Sequence, residues 1–423
     1  MRHEIPLEQL GVRGPLMTDP IGSCVHCGFC LPTCPTYVTM GEEMDSPRGR
    51  IFLIKEVLEG RVEVELAEPY LDNCLGCQAC ETACPSGVRY GDLITEFRAR
   101  TEPERRRPPT ERLRRELALR TLPHGRRFRA AARTGALARR VRWAVPKALR
   151  PLVDLLPGKL PARRPLPPRF EAAGERRARV ALLAGCVQQE LDPDIGWAAG
   201  RVLARNGVEV VVPAGQGCCG SLAMHAGEAE GARRLARRNL AAFPDDVDAV
   251  VTTAAGCGSG MREYGALFLG EPEEERARGL AGRTLDVARF LAELGLAEPP
   301  PALAEPRRVA YHDACHLAHA QKVTAAPRRL LAAVEGLELL EPAEAELCCG
   351  SAGTYNILQP AIATQLRDRK IANIAKTKPQ IIAAGNIGCL TQIGSAAGVP
   401  VVHTVKLLDW ATGGPLPSEL AAL

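Results

Sequence analysis

A chain of 423 residues, 46% hydrophobic and 24% charged, has the composition of an ordinary soluble protein and is long enough for roughly two to four domains. The net charge of +5 is too mild to imply nucleic acid, and no apolar run reaches the about 18 residues needed to cross a bilayer. Sixteen cysteines, with Pro6 and Pro15 where an export signal would carry its apolar core, point to a reducing cytoplasm and to metal rather than disulfides.

The residues before Cys24 read as an irregular arm. Then Cys24-Val-His-Cys27-Gly-Phe-Cys30-Leu-Pro-Thr-Cys34-Pro35 is answered by Cys74-Leu-Gly-Cys77-Gln-Ala-Cys80-Glu-Thr-Ala-Cys84-Pro85. Each run spells C-x2-C-x2-C-x3-C-P, the two-cluster ferredoxin spacing, which turns three thiolates onto one [4Fe–4S] cluster and sends the fourth to the other. The expected sets are Cys24, Cys27, Cys30 and Cys84 for cluster 1, and Cys74, Cys77, Cys80 and Cys34 for cluster 2. A zinc ribbon would lack the third and fourth cysteines in register, and a disulfide scaffold would need an oxidising compartment. Between the runs, Ser46-Pro47 followed by Ile51, Ile54, Val57 and Leu58 and closed by Gly60 predicts a capped helix with one apolar face; a second begins after Cys84, over 93–98. Arg48 and Arg50 fit either a solvated face or a charge that offsets buried anionic clusters.

From 98 to 179 the composition turns to Arg, Ala, Leu and Pro, with an arginine triplet at 105–107 and pairs at 114–115, 126–127, 139–140, 163–164 and 176–177. This predicts a connector of two or three amphipathic helices, suited to an acidic partner, to anionic lipid, or merely to solvent. After it comes β-α-β patterning. Strands at 179–185, 208–212 and 249–253 end at Cys186, at Cys218-Cys219-Gly220 and at Cys257, with helices near 197–206 and 228–242 between them. Parallel strands open their ligand crevice at their carboxyl ends, so Cys186, Cys218, Cys219 and Cys257 are expected in one place as a third site. The plan repeats at Cys315, Cys348, Cys349 and Cys389, offset by 129, 130, 130 and 132 residues, which marks a tandem duplication and a fourth site. His312, His316 and His319 cluster about Cys315 as candidates for a proton or metal role. Residues 401–423 offer one more strand and a short helix.

These elements give an α+β multidomain chain: a helical two-cluster ferredoxin domain over 1–98, a basic connector over 99–178, and two tandem α/β parallel-sheet cysteine-rich domains over 179–304 and 305–423. That order resembles the iron–sulfur subunits of flavin-dependent hydroxyacid and glycerophosphate dehydrogenases and, more distantly, a heterodisulfide reductase subunit. The strings Cys24-Val-His-Cys-Gly-Phe-Cys, Ser46-Pro-Arg-Gly-Arg-Ile, Cys84-Pro-Ser-Gly-Val-Arg-Tyr90, His319-Ala-Gln-Lys322, Leu347-Cys-Cys-Gly-Ser-Ala-Gly-Thr-Tyr355 and Ala384-Gly-Asn-Ile-Gly-Cys389 are similar to the glycolate oxidase iron–sulfur subunits. The resemblance implies a partner flavoprotein with FAD that oxidises glycolate, and an electron-transfer role for this chain towards a membrane quinone, from a cytoplasmic or peripheral position on the inner membrane face. No G-x-G-x-x-G follows the first strand of either α/β unit, so hydride chemistry is not expected here. Heterodisulfide-reductase-type units end in C-x2-C, whereas Cys257 is followed by Gly-Ser-Gly and Cys389 by Leu-Thr-Gln. Without that fifth thiolate, each Cys-Cys-Gly set is open to a further iron–sulfur cluster, a zinc, or no ligand. Related subunits of lactate or glycerol-3-phosphate dehydrogenases, and a reductase acting through a Cys-Cys-Gly site, are the alternatives.

Overall fold

The computed structural model describes residues 4–421; the outermost residues of the first and last expected units, 1–3 and 422–423, lie outside it. The expected irregular arm is a structured element. Leu7–Arg13 forms a 3-10 stretch and Pro15–Ser23 an α-helix, with Met17 and Ile21 buried against the helix Tyr90–Thr101. Proline at the first helical position needs no N–H partner, and apolar residues three to four apart give the helix an inward face.

The helix Pro47–Leu58 begins as its sequence specifies. Ser46 accepts a hydrogen bond from the Gly49 N–H at 3.0 Å, Pro47 follows the cap, and Ile51 and Ile54 point into the core.

Two sheets follow. The first contains β1 (Arg169–Phe170), β2 (Ala178–Leu182), β3 (Val208–Val211), β4 (Ala249–Thr252) and β5 (Thr284–Asp286), in the order β1-β3-β2-β4-β5. Only β1 is antiparallel to its neighbour. The second contains β6 (Arg307–His312), β7 (Leu337–Leu340), β8 (Ile381–Ala384) and β9 (Val401–His403), all parallel, in the order β7-β6-β8-β9. Val180 is level with Val210 and Ala249, and Val309 with Leu339 and Ile381. The central strands are apolar over their buried stretches, 180–182 and 309–311, because helices cover both faces. In each unit the chain winds first to one side of the opening central strand and then to the other, which places a crevice at the strands' carboxyl ends.

The two units share one core. Val180, Leu182, Val309 and Tyr311 belong to a single buried cluster, where helix Asp194–Arg205 packs on Thr404–Ala411 and Val287–Leu294 on Ala325–Ala332. Asp409, 2% exposed, ties this joint by accepting from Arg201 and Arg205, each at 2.5 Å. The connector helices Pro109–Thr121, Gly125–Arg140 and Arg150–Asp154 lie across both units, the middle one against Gln188–Leu191 and the outer two against Tyr355–Leu358, and bury Ala118, Phe128, Ala132 and Val153. Part of its basic run is consumed internally: Arg105 pairs with Glu68 and Asp72, Arg115 with Glu228, and Arg129 with Glu190.

Asp409→Ala leaves two guanidiniums without their shared acceptor. The expected cost is about 2–3 kcal/mol, discounted because both arginines are partly exposed, and is read as a lower urea midpoint by Trp410 fluorescence. An unchanged midpoint would show that this joint rests on apolar packing alone.

Candidate metal centres

The two ferredoxin-type runs share a backbone device. His26 (φ 52°) and Gly28 (φ 87°) in the first run match Gly76 (φ 63°) and Gln78 (φ 61°) in the second, so each loop turns left-handed two and four residues after its first cysteine. Left-handed backbone costs energy at His26 and Gln78. What it provides is a turn tight enough to aim backbone N–H groups at sulfur, as when Gly76 N–H donates to Cys74 Sγ at 3.4 Å. Cys24, Cys27, Cys30 and Cys84 line one small cavity, which Cys80 also touches. Cys34 lies elsewhere, buried beside Thr36, Asp45 and Arg50, and its charge reaches the thiols of Cys77 and Cys80.

Arg50 is the residue whose two sequence readings the structure separates. It is 1% exposed, donating to the Tyr70 carbonyl at 2.7 Å, to Thr36 and Asp45 at 3.0 Å each, and weakly to Cys34 Sγ at 3.9 Å. It is therefore an internal counter-charge. Arg48 remains half-exposed, held by Glu43 and the His26 carbonyl. Burial alone would push the Cys74 thiol up, but the guanidiniums of Arg50 and Arg98 and the Tyr90 hydroxyl bring it below the ordinary thiol range. Burial pushes Cys30 up to about 11 and also raises Cys77 and Cys80 well above the ordinary thiol range. Buried thiols of this kind ionise together with the binding of a cation, and grouped sulfur donors suit iron–sulfur clusters, so the donor sets fit. Arg50, Arg98 and Tyr90 were not singled out as a charge-compensating set in the sequence, because their convergence on Cys74 is tertiary.

In the α/β units each cysteine sits just beyond a strand. Cys-Cys-Gly has a specific cause: Gly220 (φ 85°) and Gly350 (φ 84°) are left-handed, and a Cβ would lie 3.0 Å from the Ala232 carbonyl oxygen and 2.6 Å from that of Ala363. Glycine lets the turn press onto a helix while two adjacent thiols face the crevice. In the first quartet, hydrogen bonds from Cys186 and Cys219 hold the Cys218 thiol well below its usual range. In the second, Cys315 and Cys348 sulfurs are 3.7 Å apart, bonds from Cys348 and Cys389 lower Cys349 in the same way, and Asn386 Nδ2 donates to Cys389 Sγ at 3.3 Å.

The two quartets line a single cavity of about 680 Å³, reached also by Cys74. Its far wall is the connector, through Phe128, Ala132, Leu149, Val153 and Leu156. The sequence indicated two separate crevices and an uncommitted connector. Their merger depends on the packing of one duplicated unit against the other.

The three candidate histidines differ. His316 engages Ser259 Oγ at 2.6 Å through Nδ1 and the Gly76 carbonyl at 3.0 Å through Nε2. His319 engages Thr82 Oγ1 at 2.8 Å and the Glu346 carbonyl at 3.0 Å. Both imidazoles are committed at each nitrogen to tying the second ferredoxin run to the α/β units; burial pushes His316 down to about 4 and so keeps it neutral. His312 has no oxygen or nitrogen partner at either ring nitrogen and interacts instead with the Cys349 thiol. A further network absent from the sequence reading joins His225 to Glu263 at 3.0 Å and Glu263 to Gln78 at 3.1 Å.

Comparison with known proteins agrees with this layout. Residues 21–88 match a 4Fe-4S dicluster domain, and residues 180–262 and 309–394 each match a cysteine-rich domain. The chain is 37% identical over 396 residues to the glycolate oxidase iron-sulfur subunit of Escherichia coli K12, covering 92% of this chain and 93% of that protein. The chain belongs to the glycolate oxidase iron–sulfur subunit family. A probable glycolate oxidase iron-sulfur subunit of Bacillus subtilis is 38% identical over 417 residues, covering 92% and 94% of the two chains. Lactate utilization protein A of Shouchella clausii is 34% identical but covers only 54% of this chain, though 98% of its own length. As a member of the family the protein is an iron–sulfur electron-transfer subunit of an oxidoreductase, with an α+β architecture of a 4Fe-4S domain followed by two cysteine-rich domains.

Arg50→Leu removes a buried positive charge next to the second thiol set. With an effective dielectric of about 20 and a separation of about 6 Å, the associated reduction potential should fall by roughly 100 mV. A redox titration followed by electron paramagnetic resonance checks this, and an unshifted potential would contradict the counter-charge role.

Proposed function

We propose that this chain receives electrons one at a time from a FAD-bearing flavoprotein subunit that oxidises glycolate, and delivers them to a membrane quinone. Oxidising a 2-hydroxyacid to its 2-oxoacid releases two electrons and two protons, and [4Fe–4S] clusters supply the one-electron exchange that divides the pair. Cys24, Cys27, Cys30 and Cys84 hold cluster 1; Cys74, Cys77, Cys80 and Cys34 hold cluster 2. The left-handed loops aim the thiols, Arg50 and Arg98 offset their charge, and Leu75 and Tyr355 pack between the second run and Cys315 and Cys348.

The observation that carries the reading is this buried continuity. Leu75, Cys77, Cys348 and Tyr355 form one apolar contact set that Cys315 joins, so the second cluster's thiols abut the second Cys-Cys-Gly turn. The shared cavity behind it is large and mostly apolar-walled, which suits a lipophilic ring. The glycolate assignment rests on near full-length similarity to glycolate oxidase subunits, against only half-length similarity to the lactate utilization proteins.

The acceptor side is supported by the connector. Residues 117–153 carry nine arginines and one lysine and no acidic residue. Arg126, Arg133, Leu137 and Arg140 fall on one stripe of the helix Gly125–Arg140, and Trp143 beyond its end is 82% exposed. A tryptophan among cations is the composition of a segment that rests on an anionic bilayer. Among the described residues no helix is long and apolar enough to cross a membrane.

Anaerobically purified chain should contain at least about eight iron and a matching amount of acid-labile sulfide, and Cys77→Ser should abolish acceptor reduction by the complex while leaving flavin reduction by glycolate intact. Zinc alone, or full activity in Cys77→Ser, would refute the reading. Separately, Trp143→Ser combined with Arg133→Glu and Arg140→Glu should weaken sedimentation with phosphatidylglycerol vesicles at least about tenfold, without loss of iron. Equal binding by the variant would remove the connector from membrane contact.

A further inference from the structure

The two Cys-Cys-Gly quartets are duplicates in chain order but not in what stands behind their thiols. At the duplication's offset, His312 of the second unit corresponds to Leu183 of the first, and Asn386 to Ala254. The first quartet therefore has hydrocarbon where the second has an imidazole and an amide. His312 lies at the end of β6, 1% exposed, and neither ring nitrogen has an oxygen or nitrogen partner; its interaction is with the Cys349 thiol. One ring nitrogen of His312 and the sulfurs of Cys349 and Cys389 all lie within 4.8 Å of one another.

An imidazole buried without an oxygen or nitrogen partner at either nitrogen is rare, because desolvation then goes largely uncompensated. The other buried histidines obey the rule. His319 uses both nitrogens, and His403 pairs with the Thr253 carbonyl at 2.7 Å and the Val405 N–H at 3.1 Å. His312 is the exception, and it faces thiols.

We propose that His312 is a metal ligand. With Cys349 and Cys389, and with Cys315 or Cys348 as the fourth donor, it makes a mixed thiolate–imidazole site for a thiophilic transition metal, whereas the first quartet offers thiolates alone. The inference rests on the electron-transfer reading above and deepens it. Binding deprotonates the thiols, releases those protons to solvent, and uses the neutral imidazole as it stands, so no redox change accompanies it. The shared donor chemistry serves either the iron of a cluster or zinc, both of which accept sulfur and imidazole together. If iron occupies the site, replacing a thiolate by a neutral imidazole raises the reduction potential, which suits the downstream end of a path that passes Cys77. The sequence motif alone does not reveal this, because His316 and His319 lie within seven residues and only their hydrogen bonds set them apart.

The test uses the full-length, anaerobically purified chain. Pulsed electron paramagnetic resonance after dithionite reads a directly bound nitrogen if the metal is iron. X-ray absorption at the zinc edge reads a light scatterer at about 2.0 Å beside sulfur at about 2.3 Å if it is zinc. His312→Leu, which copies the first quartet, should abolish the nitrogen signature and lower occupancy at least about tenfold in competition with a chelator, with the ferredoxin iron and its signals retained. His312→Cys should restore metal without nitrogen, and Cys218→Ser should leave the nitrogen signature in place. A wild-type chain with ferredoxin iron and no further metal, or a nitrogen signature that persists in His312→Leu, overturns the proposal. Absence of the ferredoxin iron itself would instead overturn the reading on which it rests.

Discussion

Placing sulfur anions inside a protein is unfavourable unless positive charge or directed donors meet them, and this constraint accounts for much of what surrounds the cysteines. Arg50 is fully enclosed yet linked to Tyr70, Thr36, Asp45 and Cys34, so its own burial is satisfied while its charge reaches Cys74 as well. Arg98 clamps the Leu71 and Cys74 carbonyls and brings a second cation to the same thiol. The left-handed residues at His26 and Gln78 are strained for the same end, since the turn they make is what directs the loop inward. Near the second Cys-Cys-Gly turn, Lys370 is 2% exposed with its Nζ on the Ala345 carbonyl, close enough to feel Cys348 and Cys349.

Much of this was legible in the chain itself. The doubled C-x2-C-x2-C-x3-C-P run, the Ser46-Pro47 cap and the near-constant offset between the two Cys-Cys-Gly units are local or periodic signals, and the corresponding elements lie where those signals put them. Elements with weaker local signals were missed. Strand β5 is Thr-Leu-Asp, one apolar residue in three, and is recognisable only as the counterpart of β9 at the same sheet edge. The helix Pro15–Ser23 contains Pro20 and Gly22, which argue against a helix until Met17 and Ile21 are seen packed on Tyr90–Thr101. Arg50 and Arg48 are indistinguishable two residues apart in sequence, yet one faces the thiols and the other keeps partial contact with solvent.

The larger consequence of tertiary packing is that the duplication produces one chamber instead of two crevices. Because both sheets contribute to one core, their carboxyl ends open towards the same space, and the connector closes it. The basic segment thus has two faces with different roles: Phe128, Ala132 and Val153 look into the cavity, while Arg126, Arg133 and Trp143 look outward. An electron acceptor that is itself lipophilic would find both features on one element.

The most direct measurement of the central claim, that buried thiol sets form a continuous path for charge, is rapid-freeze paramagnetic resonance of the intact complex mixed with glycolate without acceptor. The account predicts that reduced-cluster signals grow as the flavin bleaches and collapse when quinone is added. A flavin that bleaches and is reoxidised by quinone while the clusters stay oxidised and silent would contradict it.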